Sequence, residues 1–440
     1  MKVKKNIFGL AAVFACQYCF SQSSPQLDKI KEYALKNFPR SYDSSLNYTN
    51  IKPGGNLNYL YPLYQLFKQE NKFRQLETDN GYYDNFSQSV AFVDDYQTAL
   101  EYQSKKYEEP DNATVKQITK TIGDLKNIQH ADAKKYISFL VKNYRVIMIN
   151  EAHNKPLHRA FTLSLLEDLY KKGFRYLAME MLNNYSNRSL NKLTGATGFY
   201  SNEPVAGELI RTALELGYTL VAYEDTAATH HTASERDFIQ AQNVNKIILA
   251  DPSAKILVHA GYGHIAKKSV DNNYTPMAMA FKKISGIEPL CIDQTGMTEG
   301  SELAYGKVLY QSYLEKFSIG APSVAMLDNE AINITNNEDY DVVIIDPITT
   351  YRDGRPTWLS LGGLRQGVYV KPPVKNTFLA QAYYEDETKQ YGPGQLVPAD
   401  QTYVPTNKEN YFLYLRKGKY LITFRDVAYR LIGKLNIEVN

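Results

Sequence analysis

The sequence predicts a mixed α/β fold: a mainly parallel, doubly wound sheet, with a helical N-terminal region before it and a β-sandwich-like domain after it. Three observations predict this. Between residues 141 and 365, short apolar runs alternate with amphipathic stretches, as strands alternate with crossover helices in a parallel sheet. Across residues 23–140, apolar residues recur three and four positions apart, as on one face of a helix. Over residues 366–440 the period falls to two.

Bulk composition sets the outer bounds. The chain has 440 residues, which suggests about two or three domains. Its 44% hydrophobic and 22% charged content is that of a globular protein. A net charge of +3 argues against a nucleic-acid partner, because binders of polyanions concentrate Lys and Arg far more strongly. The 36 tyrosines are expected to pack half-exposed at a polar surface.

Residues 1–22 read as a signal peptide. "MKVKK" is basic, "IFGLAAVFACQYCF" is apolar, and "SQSS" offers small residues for cleavage. The apolar run is too short for a stable transmembrane helix, and no later segment is long and apolar enough to span a membrane. The expectation is an exported protein, periplasmic or secreted. The alternative is lipid anchoring through Cys16, although Phe14 is bulky for a lipobox. Cleavage removes Cys16 and Cys19 and leaves Cys291, so no disulfide can form within the mature chain.

The helical region is predicted at "LDKIKEYALKNF", "YLYPLYQLFKQENKFRQLE" and "VAFVDDYQTALEYQSKKY", with breaks at "KPGG" and "EEPDN". Strands follow at "RVIMIN" (145–150), "RYLAME" (175–180), "YTLVAY" (218–223), "KILVHA" (255–260) and "EPLCID" (288–293). Several of the helices between them end at Gly, a normal C-terminal stop. The run beginning "DYDVVIID" at 339 either extends the sheet or caps it. In the last part, "ENYFLYLRKGKYLITFRD" alternates about a "KGK" tight turn, which suggests a small sandwich open to protein or polysaccharide contact.

All seven histidines lie between His130 and His264. Acids and imidazoles also gather at the C-terminal ends of the apolar runs. Asn150, Glu151 and His153 close the first, Glu180 the second, Glu224 and Asp225 the third, and His259 with His264 in "HAGYGH" the fourth. Ligands of open parallel sheets bind at that edge. His153 and His158 are five apart, which excludes the HExxH zinc arrangement. Pro156 predicts a helix start between them, with His158 in its first turn, where the dipole favours neutral imidazole.

Two chemistries remain open. Glu151, His153, Glu180 and His264, with Glu224, could hold a divalent metal ion. Alternatively a His and a Glu activate water without metal. No G-x-S-x-G elbow is present and Cys291 lacks a motif, which disfavours covalent catalysis. Arg236 opens a helix with Glu235 and Asp237, and is either a fork for an anionic substrate group or part of a capping cluster. His158, Glu224, Arg236 and Tyr262 are the expected substrate contacts, Tyr262 also being a candidate iron ligand. His230 and His231 read as loop residues, and His259 as a hydrogen-bonded core residue.

At these residues the sequence resembles the superfamily joining erythromycin esterases, the haem-binding ChaN proteins and the TraB/Tiki proteins. ChaN-like chains carry an apolar strand, "GE-x-H" with a further His, a strand ending in "EM", and a later strand followed by "G-x-G-H". The corresponding segments here are "MINEAHNKPLH", "LAMEML" and "HAGYGHI", and "RDFIQAQN" resembles the family's Arg-led helix. The resemblance covers about residues 141–290 and is closest to the ChaN-like motifs. It implies an α/β fold with a strand-end pocket. Erythromycin-esterase relatives are hydrolases using His and Glu without metal, Tiki relatives resemble metal-dependent proteases, and ChaN relatives bind haem. The chain departs from the pattern at Asn150, where the family has Gly, and a side chain there is expected to crowd the backbone beside Glu151. The leading expectation is an exported hydrolase acting on a small molecule. The alternative is a haem- or iron-binding envelope protein.

Overall fold

The structure is a computed structural model that describes residues 25–38, 51, 55–76, 79–185, 190–227, 230–269, 274–301, 303–335, 339–404 and 411–440. The expected signal peptide, with Cys16 and Cys19, lies outside the described residues, as does most of the "KPGG" break. Five helices come first: α1 (Pro25–Asn37), α2 (Tyr61–Leu76), α3 (Asp79–Phe92), α4 (Tyr96–Ser104) and α5 (Asn112–Asp124). The stretch "VAFVDDYQTALEYQSKKY" is not one helix. Asp95 accepts the amide of Thr98 at 3.3 Å and caps α4, and Asp94 takes φ 65°, so the chain turns between α3 and α4.

A nine-stranded sheet forms the centre. Its strands are β1 (Gln129–Asp132), β2 (Val146–Glu151), β3 (Tyr176–Met179), β4 (Thr219–Ala222), β5 (Ile256–Gly261), β6 (Leu290–Met297), β7 (Ser323–Leu327), β8 (Glu330–Ala331) and β9 (Val342–Ile345). Their order is β1-β7-β9-β6-β2-β5-β3-β4, with β8 on β7. The strands from β9 through β4 are parallel to one another, and β1, β7 and β8 add an antiparallel edge. All five expected strands are present, and the "DVVIID" run extends the sheet as β9.

Helices α6 (Ala133–Leu140), α7 (Pro156–Lys171), α8 (Pro204–Leu216), α9 (Ala233–Ala250), α10 (Met277–Ser285) and α11 (Gly306–Lys316) accompany the strands. Strand β2 is buried along its whole length because both faces are covered. Ile147 and Ile149 join a core with Leu166, Leu169, Leu209 and Ile210 of α7 and α8. Val146 and Met148 join another with Val244, Met277 and Phe281 of α9 and α10. Helix α8 ends where Gly217 takes φ 94°, the left-handed geometry of a helix stop.

The remaining strands are β10 (Tyr351–Arg352), β11 (Arg355–Pro356), β12 (Gln366–Val370), β13 (Leu379–Tyr384), β14 (Asp400–Tyr403), β15 (Tyr411–Leu415), β16 (Gly418–Arg425) and β17 (Leu431–Val439). The "KGK" turn does not close a hairpin. It passes the chain from β15, which pairs with β12, to β16, which pairs with β13 in a separate four-stranded sheet. Val370, Leu413 and Leu415 from the first pack with Ala380, Ile422 and Phe424 from the second in one core. Many tyrosines sit deeper than composition suggests. Tyr59, Tyr223 and Tyr313 are fully buried, each with its hydroxyl paired: to Asn202 O at 2.8 Å, His259 O at 3.1 Å and His130 Nε2 at 2.7 Å. Among the described residues, no helix is long and apolar enough to cross a membrane.

Candidate functional site

Strand order builds the site. Because β5 lies between β2 and β3, the turn after Gly261 falls between Glu151 and Glu180, and Glu151 is in register with Gly261. Glu151 is buried at the end of β2 and accepts from four donors. Arg159, on the first turn of α7, grips it as a fork, Nε to Oε2 and Nη2 to Oε1, both at 2.7 Å. His259 Nε2 lies 2.8 Å from Oε2, and His153 Nδ1 lies 3.0 Å from Oε1. Burial raises the Glu151 pKa, but Arg159, His259 and the His153 hydrogen bond outweigh it and hold the carboxyl well below its usual range. An ionised Glu151 can only accept, so His153 donates from Nδ1 and Nε2 is left as its other polar atom.

That Nε2 points to the gap between two strand ends. A Cβ on Gly261 would lie 2.8 Å from His153 Nε2 and 3.0 Å from Glu180 Oε2, so only glycine lets the two groups approach. Tyr200 stacks on the His153 ring at 4.0 Å, and Tyr262 meets it edge-on at 4.8 Å. Tyr262 is held at φ 41°, and the Asn150 amide donates to its carbonyl at 3.0 Å.

A second imidazole faces the same gap. His264 Nδ1 lies 2.7 Å from Oδ1 of buried Asp237, whose Oδ2 accepts from the Tyr274 hydroxyl and the Met277 amide. Burial disfavours charge on His264, but Glu180 and Asp237 overcome it and raise its pKa. Its Nε2 is 3.1 Å from Arg236 Nη1, a contact in which the neutral ring accepts. Arg236 Nη2 also donates to Glu180 at 2.7 Å, and its Nε donates to Glu224 at 2.9 Å. Glu180 accepts the Gly261 amide at 2.6 Å. Burial pushes its carboxyl up, but His264, His153, Arg236 and that amide bring it down to about 2.

Glu151, His153, Glu180, His264, Arg236 and Tyr262 therefore come together, as the strand-end pattern predicts. Three expectations are corrected. His158 is not a substrate contact: it is fully buried, and its Nδ1 accepts the Ala152 amide at 3.0 Å, bracing the turn from β2 into α7. Glu224 does not face substrate either, because its carboxylate is spent on Arg236, the Gln240 amide and its own chain at Asp225. Asn150 does not crowd Glu151. Strand alternation turns its side chain to the other face, where it donates to Asp293 at 2.7 Å and accepts the Gln294 amide at 2.7 Å.

The metal reading also fails on the donor set. Arg159 occupies both oxygens of Glu151, and Arg236 sits between Glu180, Glu224 and His264 where a cation would lie. No group of three or more His, Cys, Asp or Glu residues converges as a metal site among the described residues. His231 pairs with Asp225 at 2.5 Å at the rim, and Cys291 is buried and unpaired.

Sequence reasoning missed Arg159, Asp237, Tyr200 and the close approach at Gly261. Arg159 and Asp237 each adjoin a residue that was singled out, so the helix turns were right but the side-chain directions were not. Tyr200 arrives from the long connection after β3, which carries no periodicity to interpret.

No family model matches this sequence, and no curated protein matches it. Among solved structures, the type III effector HopBA1 is similar at TM-score 0.32 and 13% identity, over 50% of this chain and 97% of that one. RRSP, a MARTX toxin effector domain from Vibrio vulnificus CMCP6, is similar at TM-score 0.28 and 11% identity, over 58% of this chain and 60% of that one. Likeness at this level says nothing about what this chain does.

Proposed function

We propose that this chain is an exported, metal-free hydrolase of small-molecule esters or amides, on a doubly wound sheet related to the erythromycin esterase, ChaN and Tiki proteins. One observation carries the reading: two imidazoles, each held at Nδ1 by a buried carboxylate, face one gap on either side of ionised Glu180. His153 Nε2 takes a proton from water as the water oxygen attacks the substrate carbonyl carbon. The imidazolium so formed is stabilised by Glu151 and Glu180. His153 then returns the proton to the leaving group as its bond to carbon breaks. Arg236, whose side chain remains 27% exposed, faces the negative charge that builds on the carbonyl oxygen. Tyr262 is turned onto His153, its hydroxyl 3.4 Å from the His153 amide, which favours the hydrolase over iron ligation. Export rests on the basic and apolar N-terminus.

The test is hydrolysis of a panel of chromogenic esters and amides by the purified chain. His153→Ala is expected to lower kcat by about 10²–10⁴-fold with unchanged thermal unfolding. Dialysis against a chelator is expected to leave turnover intact. Full activity in H153A ends the proposal, and loss of activity on chelation returns a metal to the site.

A further inference from the structure

We propose that β17 is a dimerisation edge, through which two copies of the chain pair antiparallel about a two-fold axis at Asn436. Strand β17 is the last strand of its four-stranded sheet and is hydrogen-bonded to β16 on one side. Among the described residues, no strand pairs with its other side. Its nine residues, LIGKLNIEV, contain no proline, so it presents a long row of unpaired backbone groups.

The sequence of the strand identifies the occupant. Lys434, Asn436 and Glu438 are exposed, while Leu435 and Ile437 are half-buried against the core beneath the sheet. Antiparallel pairing about Asn436 sets Lys434 opposite Glu438 of the partner subunit, and Leu435 opposite the partner's Ile437. Two-fold symmetry makes each pair twice. Moving the axis to residue 435 sets Lys434 against Asn436, and moving it to 437 sets Glu438 against Asn436. Neither shift pairs opposite charges. A half-residue register would set polar positions against apolar ones. Neither Lys434 nor Glu438 makes an ion pair among the described residues. The edge is thus self-complementary in one register, and pairing would extend two four-stranded sheets into one across the axis.

The full chain is to be measured by sedimentation velocity over the micromolar range, expecting a concentration-dependent dimer. Lys434→Glu opposes carboxylates at both symmetric positions and is expected to weaken association by about tenfold. The double variant K434E/E438K restores the opposite charges in exchanged positions and is expected to recover the wild-type affinity. Both positions lie far from the strand-end site in the chain and on another sheet, so hydrolysis serves as a check that the variants are folded. A wild-type chain that stays monomeric throughout overturns the proposal. So does a dimer indifferent to K434E, or one that the double variant fails to restore.

Discussion

The two histidine–carboxylate pairs at the sheet edge share a plan and differ at one atom. In each, a buried acid accepts a hydrogen bond from Nδ1. At His153 the far nitrogen faces the glycine-lined gap, flanked by Tyr200 and Tyr262. At His264 the far nitrogen is covered by a guanidinium, Arg236 Nη1, at 3.1 Å. One pair leaves its Nε2 facing the gap and the other has its Nε2 engaged by a guanidinium. The same pairing thus leaves Nε2 accessible on one side and held by Arg236 on the other, which suits the proposed base at His153. The acids differ too. Glu151 is neutralised by an arginine fork, whereas Asp237 accepts a tyrosine hydroxyl and a backbone amide.

Three measurements press on this contrast beyond the His153 variant. The largest effect is expected for Arg159→Met, which strands Glu151 and Glu203 as buried charges. Urea unfolding should show a loss of about 3–5 kcal/mol. Arg236→Met, at a partly exposed site, should cost distinctly less, and equal losses would erase the distinction between the pairs. Next is the acid limb of stability. Glu180 is lowered from 4.5 to about 2 in the fold, so its contribution is fully present above the unfolded value and is lost as pH falls toward the folded one. That contribution is up to about 3 kcal/mol. Glu180→Gln should flatten the limb, and an unchanged limb would show that Glu180 is not its source. The smallest effect is expected for Asp237→Asn. An amide donor facing Nδ1 reverses the His264 tautomer and turns an Nε2 proton onto Arg236. The expected loss is about tenfold in kcat, with any pH limb due to His264 moving to lower pH because Asp237 raises its pKa. Nitrogen NMR shifts of His264 report the tautomer directly.

Much of this was legible in the sequence, for a physical reason. Strands buried on both faces must be continuously apolar, so a polar residue at the end of such a run marks an edge. Glu151, Glu180, Glu224 and His264 were found that way. The order of the strands was not legible, because each run is equally apolar and nothing local says that β5 inserts between β2 and β3. Side-chain direction was lost at helix starts. One residue along a helix is about 100° of rotation, which buries His158 under the turn and aims Arg159 at Glu151. Asn150 shows the reverse error: it counted against the site, yet its amide fixes the Tyr262 turn.

Helix α8 joins the strand-end site to the C-terminal strands. Its N-terminal cap, Glu203, accepts the Val205 and Ala206 amides and also Arg159 at 3.1 Å, which places it one residue from the Glu151 fork. A turn further on, buried Glu208 accepts the Tyr384 hydroxyl, and Arg211 forks onto Glu387 at 2.7 and 2.8 Å. The helix is a strut with the strand-end site at one end and the C-terminal strands along its side. Trimming those strands away is not expected to leave the site intact. It would take the Tyr384 hydroxyl from Glu208 and the Glu387 fork from Arg211, leaving those two paired with each other, at 3.1 Å, on the helix whose cap reaches Arg159. The C-terminal part is a buttress of this helix, and a shortened chain is expected to loosen the Glu203–Arg159–Glu151 alignment even where it keeps its sheet.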